Sequence, residues 1–232
     1  MRPVTRTKSI EVVAQVARAL EELVDDVVFV GGSVAALLIT DEKIVTVRPT
    51  LDVDVIVEVV GLPDYYKFEK KLKKKGFAPV PDGPVCRYSL GAIIVDVMPD
   101  NEEILGFSNR WYRAAIEMAE SQMVEGIEIR VVSVPLFLAT KLEAYHGRGG
   151  SDYLGSHDME DILAVVDGRP TLIRDCVDAP DEVRNYLRDE FARLLNDDEF
   201  NNVLPGLVDP TGGSGRAAIV RERLQGLIRS LT

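Results

Sequence analysis

The 232-residue chain is 46% hydrophobic and 28% charged, which suffices for a sizeable core without a metal or disulfide staple. Asp and Glu number 38 against 27 Lys and Arg, and a formal charge of -11 disfavours indiscriminate or stable binding to DNA, because phosphate contacts supply most non-specific affinity. Two distant cysteines, Cys86 and Cys176, exclude a disulfide framework and a zinc ribbon.

The start, Met1-Arg-Pro-Val-Thr-Arg-Thr-Lys, runs into an amphipathic segment and not an apolar signal core, and no stretch approaches a membrane span, so a cytoplasmic protein without membrane contact is expected. Ile10, Val13, Val16, Ala17, Leu20 and Val24 recur at helical spacing and predict a helix near 8–24. A short strand over 27–30 then delivers the chain to Gly31-Gly32, and 33–39 is predicted as a helix whose first turn carries this glycine–serine corner. Strand, glycine turn and helix in that order form a context that can hold an anion. Further strands are predicted over 52–59, 85–90, 92–98 and 127–134, with helices over 64–75, ended by Gly76, and over 109–120. From Pro135 onward the pattern turns helical, over 135–145, 157–166, 171–177, 181–195 and 216–231. Gly147–Gly155 and Asp209–Gly215 read as loops, the second expected to be mobile. The expected architecture is α+β: a mixed sheet with flanking helices over 1–134, then a helical C-terminal lobe over 135–232.

The chemistry concentrates in Arg48-Pro-Thr50-Leu-Asp52-Val-Asp54-Val-Ile-Val. A strand puts alternate side chains on one face, so Asp52 and Asp54 project together. Adjacent carboxylates repel and are costly to bury unless a cation lies between them, and hard oxygen ligands suit Mg²⁺. Asp96, within Ile-Ile-Val-Asp96-Val-Met, supplies a third carboxylate. Alternation alone would favour an exposed edge-strand face continued by Glu58; the upstream Gly-Gly-Ser, Asp96, Arg48 and Thr50 shift the balance to the metal reading. A two-metal arrangement of about 4 Å spacing is expected, with Asp96 accepting a proton or holding the acceptor-side ion. Gly31, Gly32 and Ser33 are expected to bind the β- and γ-phosphates of an NTP.

The order G-G-S, R-x-T-x-D-x-D, an apolar strand with one Asp, K-L-E-A-Y and H-D-M-E-D-I resembles the nucleotidyltransferase superfamily, and within it the AbiEii family with the MenT-type toxins of type IV toxin–antitoxin systems. The resemblance covers roughly residues 25–170. It implies a DNA polymerase β-like fold, Mg²⁺ dependence, nucleotide contact through Thr50 and Lys141, and catalytic roles for Asp52, Asp54, Asp96, Lys141 and Asp158. It further implies transfer of NMP to a hydroxyl acceptor such as a tRNA 3′ end, and a cognate antitoxin partner. Alternatives are a small-molecule or protein nucleotidyltransferase of the antibiotic-modifying type, and a nucleotide-binding pseudoenzyme, against which the three intact carboxylates argue.

Several features also carry bland alternatives. Lys141 interrupts an apolar helix, where a lysine either snorkels to solvent or meets a phosphate. Asp158 could cap its helix without catalytic duty, and Asp161 reads as structural. His146 and His157 lack a zinc spacing and fit loop or cap roles. The lysine run from Lys67 to Lys75 reads first as a solvated helix face, and second as a guide for RNA. Arg110-Trp111-Tyr112-Arg113 serves equally as a base-stacking platform or as the start of a buried helix.

Overall fold

The computed structural model describes residues 4–44, 46–48, 50–150, 152–208 and 215–231. The predicted loop over 209–215 lies outside them except for Gly215. The chain falls into two compact units, Met1–Ala36 with Thr46–Ser133, and Leu37–Val45 with Val134–Thr232.

In unit 1, helix α1 (Arg6–Leu20) buries Val12, Val13, Val16, Ala17 and Leu20. It gives way to a 3₁₀ turn, Glu21–Asp26, where the sequence predicts continued α-helix. Besides a two-stranded pairing of Val4–Thr5 with Thr46–Val47, the described residues of unit 1 form the strands β1 (Val27–Val30), β2 (Asp52–Val57), β3 (Ala78–Pro79), β4 (Arg87–Leu90), β5 (Ile93–Pro99), β6 (Glu120–Val124) and β7 (Ile127–Val131). They form one mixed sheet in the order β3-β4-β5-β2-β1-β7-β6. β2 is central, parallel to β5 and antiparallel to β1. Its Val53, Val55 and Val57, with Val95 and Val97 of β5, are all buried and occupy one face of the sheet. Asp52, Asp54 and Asp96 belong to the other.

Helix α2 (Leu62–Lys74) packs Tyr65, Phe68 and Leu72 inward, and the Tyr65 hydroxyl donates to the Val97 carbonyl at 2.9 Å. Its lysines are balanced within the unit: Lys67 pairs with Asp64, Lys73 with Glu69, and Lys75 with both Glu21 and Glu22. The run therefore behaves as an exposed helix face whose charge is largely neutralised in place. Strand β6 takes a segment partly expected to be helical. Glu125 and Gly126, both with positive φ, make the two-residue turn that pairs Val124 with Ile127. The helix predicted over 109–120 shrinks to Tyr112–Glu117.

Unit 2 is helical. Helices α3 (Val134–Gly147), α4 (His157–Gly168), α5 (Asp181–Asn196), α6 (Asp198–Val208) and α7 (Arg216–Ser230) pack with a short helix, Leu172–Val177. α3 lies against α4 and α5, and α7 lies against the same two. The 37–45 segment is fixed to the C-terminal end of α4: the amides of Thr40 and Asp41 both donate to the Gly168 carbonyl at 2.9 Å. A Cβ at Gly168 would lie 2.6 Å from a methyl of Ile39, so only glycine permits this approach. Arg223 donates to the Val166 and Asp167 carbonyls, and Arg216 to the Asp167 carboxylate at 2.8 Å, satisfying groups that a helix end otherwise leaves open. Among the described residues no helix is long and apolar enough to cross a membrane.

Burial pushes the phenols of Tyr65 and Tyr88 far above the ordinary value of 10.0. A raised folded-state value means the neutral form is favoured in the native protein. Its stabilising contribution is complete below about pH 10 and drains away as pH rises beyond it. Burial raises the Tyr153 phenol in the same way, so the expected outcome of an ultraviolet phenolate titration is that at least three of the 7 tyrosines ionise only together with the loss of circular dichroism that marks global unfolding.

Candidate active site

Strand geometry alone assembles the acidic row. Asp52 and Asp54 are two residues apart on β2, and in the parallel ladder Asp54 is the register partner of Asp96 on β5. All three therefore share one face of two neighbouring strands. Asp52 is exposed, and Asp54 and Asp96 are half-buried.

Thr50 fixes the entry to β2. Its hydroxyl oxygen accepts the Asp52 amide at 3.0 Å, and the hydroxyl donates to the Asp52 carbonyl at 3.3 Å. The side chain is thus engaged with the backbone that aims the first carboxylate.

Gly31 ends β1 beside the second carboxylate. Val30 is the ladder partner of Asp54, and Gly31 turns away with a φ of +73°. A Cβ built there would lie 1.8 Å from Asp54 Oδ2 and 2.8 Å from Asp54 Cβ. The glycine is required twice over, by its left-handed backbone and by the carboxylate that fills the place of its missing side chain. Beyond it the chain forms a 3₁₀ turn, Gly32–Val34, and one α-helical turn, Ala35–Leu38, shorter than the predicted helix. The Ser33 hydroxyl is buried and donates to the Val30 carbonyl at 3.4 Å.

Asp96 is met by a residue that the sequence reading left out. Arg87, its direct partner across the β4–β5 ladder, grips it with both arms: Nε donates to Oδ1 at 2.8 Å and Nη2 to Oδ2 at 2.7 Å. The hydrogen-bonded pair raises the Arg87 guanidinium above its ordinary value against the opposing effect of burial, with the charges of Asp96 and Asp52 adding to it. A signal for the pair exists in the sequence. Gly91, with positive φ, begins the two-residue turn Gly91-Ala92, and counting outward from it sets Arg87 opposite Asp96. The neighbouring Cys86 is buried, and that burial, reinforced by the charge of Asp96, pushes its thiol up to about 11, so it is no nucleophile at neutral pH.

Lys141 and Asp158 lie in unit 2 and are tied to each other. Lys141 Nζ donates to Asp158 Oδ1 at 3.0 Å and to Asp161 Oδ2 at 2.7 Å, and Arg148 holds the second Asp158 oxygen. Both aspartates are buried, and the lysine is nearly so. The cap of α4 is Ser156, which accepts the Met159 amide at 3.2 Å, so Asp158 is released from capping to serve the ion cluster. Each histidine ring lies against a carboxylate: His146 meets Glu190 at 2.7 Å and His157 meets Glu160 at 3.1 Å. Arg110 stacks on the face of its buried neighbour Trp111, 4.6 Å from the ring centre, which uses that ring within the fold.

Among the described residues no group of three or more His, Cys, Asp or Glu side chains is gathered to hold a metal ion. Carboxylate oxygens are the donor type that a hard cation takes. The acidic row offers carboxylate oxygens only, from one strand face, with Asp54 kept in place by the Gly31 gap. A cavity of about 450 Å³ in unit 1 lies elsewhere. It is lined by Val57, Glu58 and Val59, at the opposite end of β2 from Asp52.

No protein-family model matches the chain, and no curated protein matches it in sequence. Among solved structures, the chain is similar to an antigenic nucleotidyltransferase-like protein from Paracoccidioides brasiliensis. The two are 18% identical over 83% of this chain and 91% of that one, with a TM-score of 0.48.

Two outcomes follow from this geometry. Gly31→Ala is expected to lower stability by about 1–3 kcal/mol in urea unfolding. The loss should shrink in an Asp54→Ala background, where most of the obstructing side chain is gone. Lys141→Met leaves two buried carboxylates facing each other and is expected to destabilise by about 3–5 kcal/mol in the same assay.

Proposed function

We propose that unit 1 carries the catalytic face of a metal-dependent nucleotidyltransferase, which moves NMP from an NTP to a hydroxyl acceptor. The observation that carries this reading is the row of Asp52, Asp54 and Asp96 on one sheet face, beside a Gly31 whose backbone makes room for a carboxylate. Asp52 and Asp54 would hold Mg²⁺, with Asp96 the third carboxylate on the acceptor side. When bound, the ion supplies charge neutralisation for the triphosphate and acidifies the attacking hydroxyl.

The chain's own groups then have distinct tasks. The Gly31-Gly32-Ser33 corner presents backbone to the β- and γ-phosphates. Thr50 keeps Asp52 in line through its two backbone contacts. Asp96 takes the proton of the acceptor hydroxyl as its oxygen bonds to the α-phosphorus and the α–β bridging bond breaks, releasing pyrophosphate. The tRNA 3′ end as acceptor, Lys141 and Asp158 as further catalytic groups, and a toxin held by an antitoxin rest on the family resemblance alone.

The test is incubation of the full chain with Mg²⁺, each α-labelled NTP and total cellular RNA, beside Asp52→Ala/Asp54→Ala. Label is expected in tRNA-sized RNA with the intact protein, and lower by about 10²–10³-fold or more with the variant. Label in another acceptor would keep the reaction and replace the tRNA assignment. No Asp52- and Asp54-dependent labelling or pyrophosphate release would overturn the reading.

A further inference from the structure

We propose that Arg87 is an internal counterion that competes with the divalent cation for Asp96, so that loading the site requires its guanidinium to give way. This rests on the reading of the acidic row as a cation site. Both oxygens of Asp96 are occupied by the Arg87 fork, at 2.8 and 2.7 Å, and the carboxylate is only 14% exposed. A bidentate guanidinium takes the two best-directed acceptor positions of a carboxylate. What remains for a metal is poorer in direction and already neutralised in charge.

A doubly charged ion brought to the same oxygens would also face the guanidinium as a like charge a few ångströms away. Retreat is open to Arg87. It sits on a strand adjacent to Asp96, and its side chain is 38% exposed. The arginine can therefore leave Asp96 without being stranded in an apolar place. In the cation-free protein it neutralises Asp96 at its place beside Asp54.

A purely positioning role would have the opposite consequence. If Arg87 only aimed Asp96 at the ion, its removal would loosen the carboxylate and weaken binding. The sign of the change therefore decides between the two roles.

The experiment is calorimetric titration of the full chain with Mn²⁺ alone, for the wild type, Arg87→Met, Asp96→Asn, the double variant Arg87→Met/Asp96→Asn, and Asp52→Ala/Asp54→Ala. Arg87→Met is expected to bind Mn²⁺ at least about tenfold more tightly than the wild type, because the competing cation is gone. In the Asp96→Asn background the same substitution should have a markedly smaller effect, since only the like-charge repulsion is then relieved. Melting of cation-free Arg87→Met should fall, and Mn²⁺ should raise it by more than it raises the wild type. Arg87→Lys, which keeps the charge but loses the fork, provides a folded comparison if the methionine variant does not fold, and should bind Mn²⁺ with intermediate affinity. Equal or weaker binding by Arg87→Met, or by Arg87→Lys where it stands in, would overturn the counterion role while leaving the cation site intact. Absence of Asp52- and Asp54-dependent Mn²⁺ binding in every protein would overturn the cation site itself, and this proposal with it.

Discussion

Carboxylates that share one face of neighbouring strands repel. At a separation of about 5 Å and an effective dielectric of about 20, each pair is unfavourable by roughly 3 kcal/mol. The centre of unit 1 is organised around that repulsion. Its opposite face is a continuous apolar layer of Val53, Val55, Val57, Val95 and Val97, and this layer locks the register that sets Asp54 beside Asp96. The strands cannot slip by one residue to relieve the charges without turning valines outward and aspartates into the core. The charge is managed locally: Arg87 neutralises one carboxylate, Gly31 gives space to another, and Asp52 stays exposed at the strand's beginning. Such an arrangement is difficult to explain by stability alone, since an apolar residue at each place would be easier to accommodate. The proposed cation-binding duty would account for it.

Unit 2 answers the same physics with a different solution. Lys141, Arg148, Asp158 and Asp161 balance two positive against two negative side chains. The cluster joins α3 to α4 through side chains that an apolar interface would otherwise exclude. Its contribution is specificity of packing: α3 is apolar on nearly every side, and one buried charge with fixed partners selects a single rotation of the helix against its neighbour.

Local patterns were legible and tertiary partners were not. The alternation of valine and aspartate in β2, the glycine corner after β1 and the main helices of unit 2 follow from spacings within a few residues. The mixed sheet with flanking helices and the helical character after residue 134 are present as expected. The helix over 33–39 was over-read, because an apolar run of Val, Ala, Leu and Ile supports either helix or turn once its ends are fixed elsewhere. Strand β6 was missed because Glu-Ser-Gln-Met-Val lacks β-branched residues at most positions. It is held by the turn at Glu125-Gly126 more than by its own propensity. Arg87 was overlooked since an arginine nine residues before an aspartate means nothing until a hairpin turn is placed between them. For Lys141, the sequence offered solvent or phosphate as destinations, and the structure supplies a pair of aspartates on the next helix.

The 37–45 segment has a consequence for biosynthesis. It belongs to unit 2, yet its carbonyl partner at Gly168 and the Arg216 and Arg223 groups around that helix end are encoded more than a hundred residues later. At roughly 5–20 residues per second, a ribosome needs on the order of ten seconds to supply them. During that interval the buried Ile39 has emerged without Gly168, against which it packs. A nascent chain of this protein is thus committed to wait with an adhesive segment uncovered, and its folding is timed by translation at least as much as by the sheet that forms first.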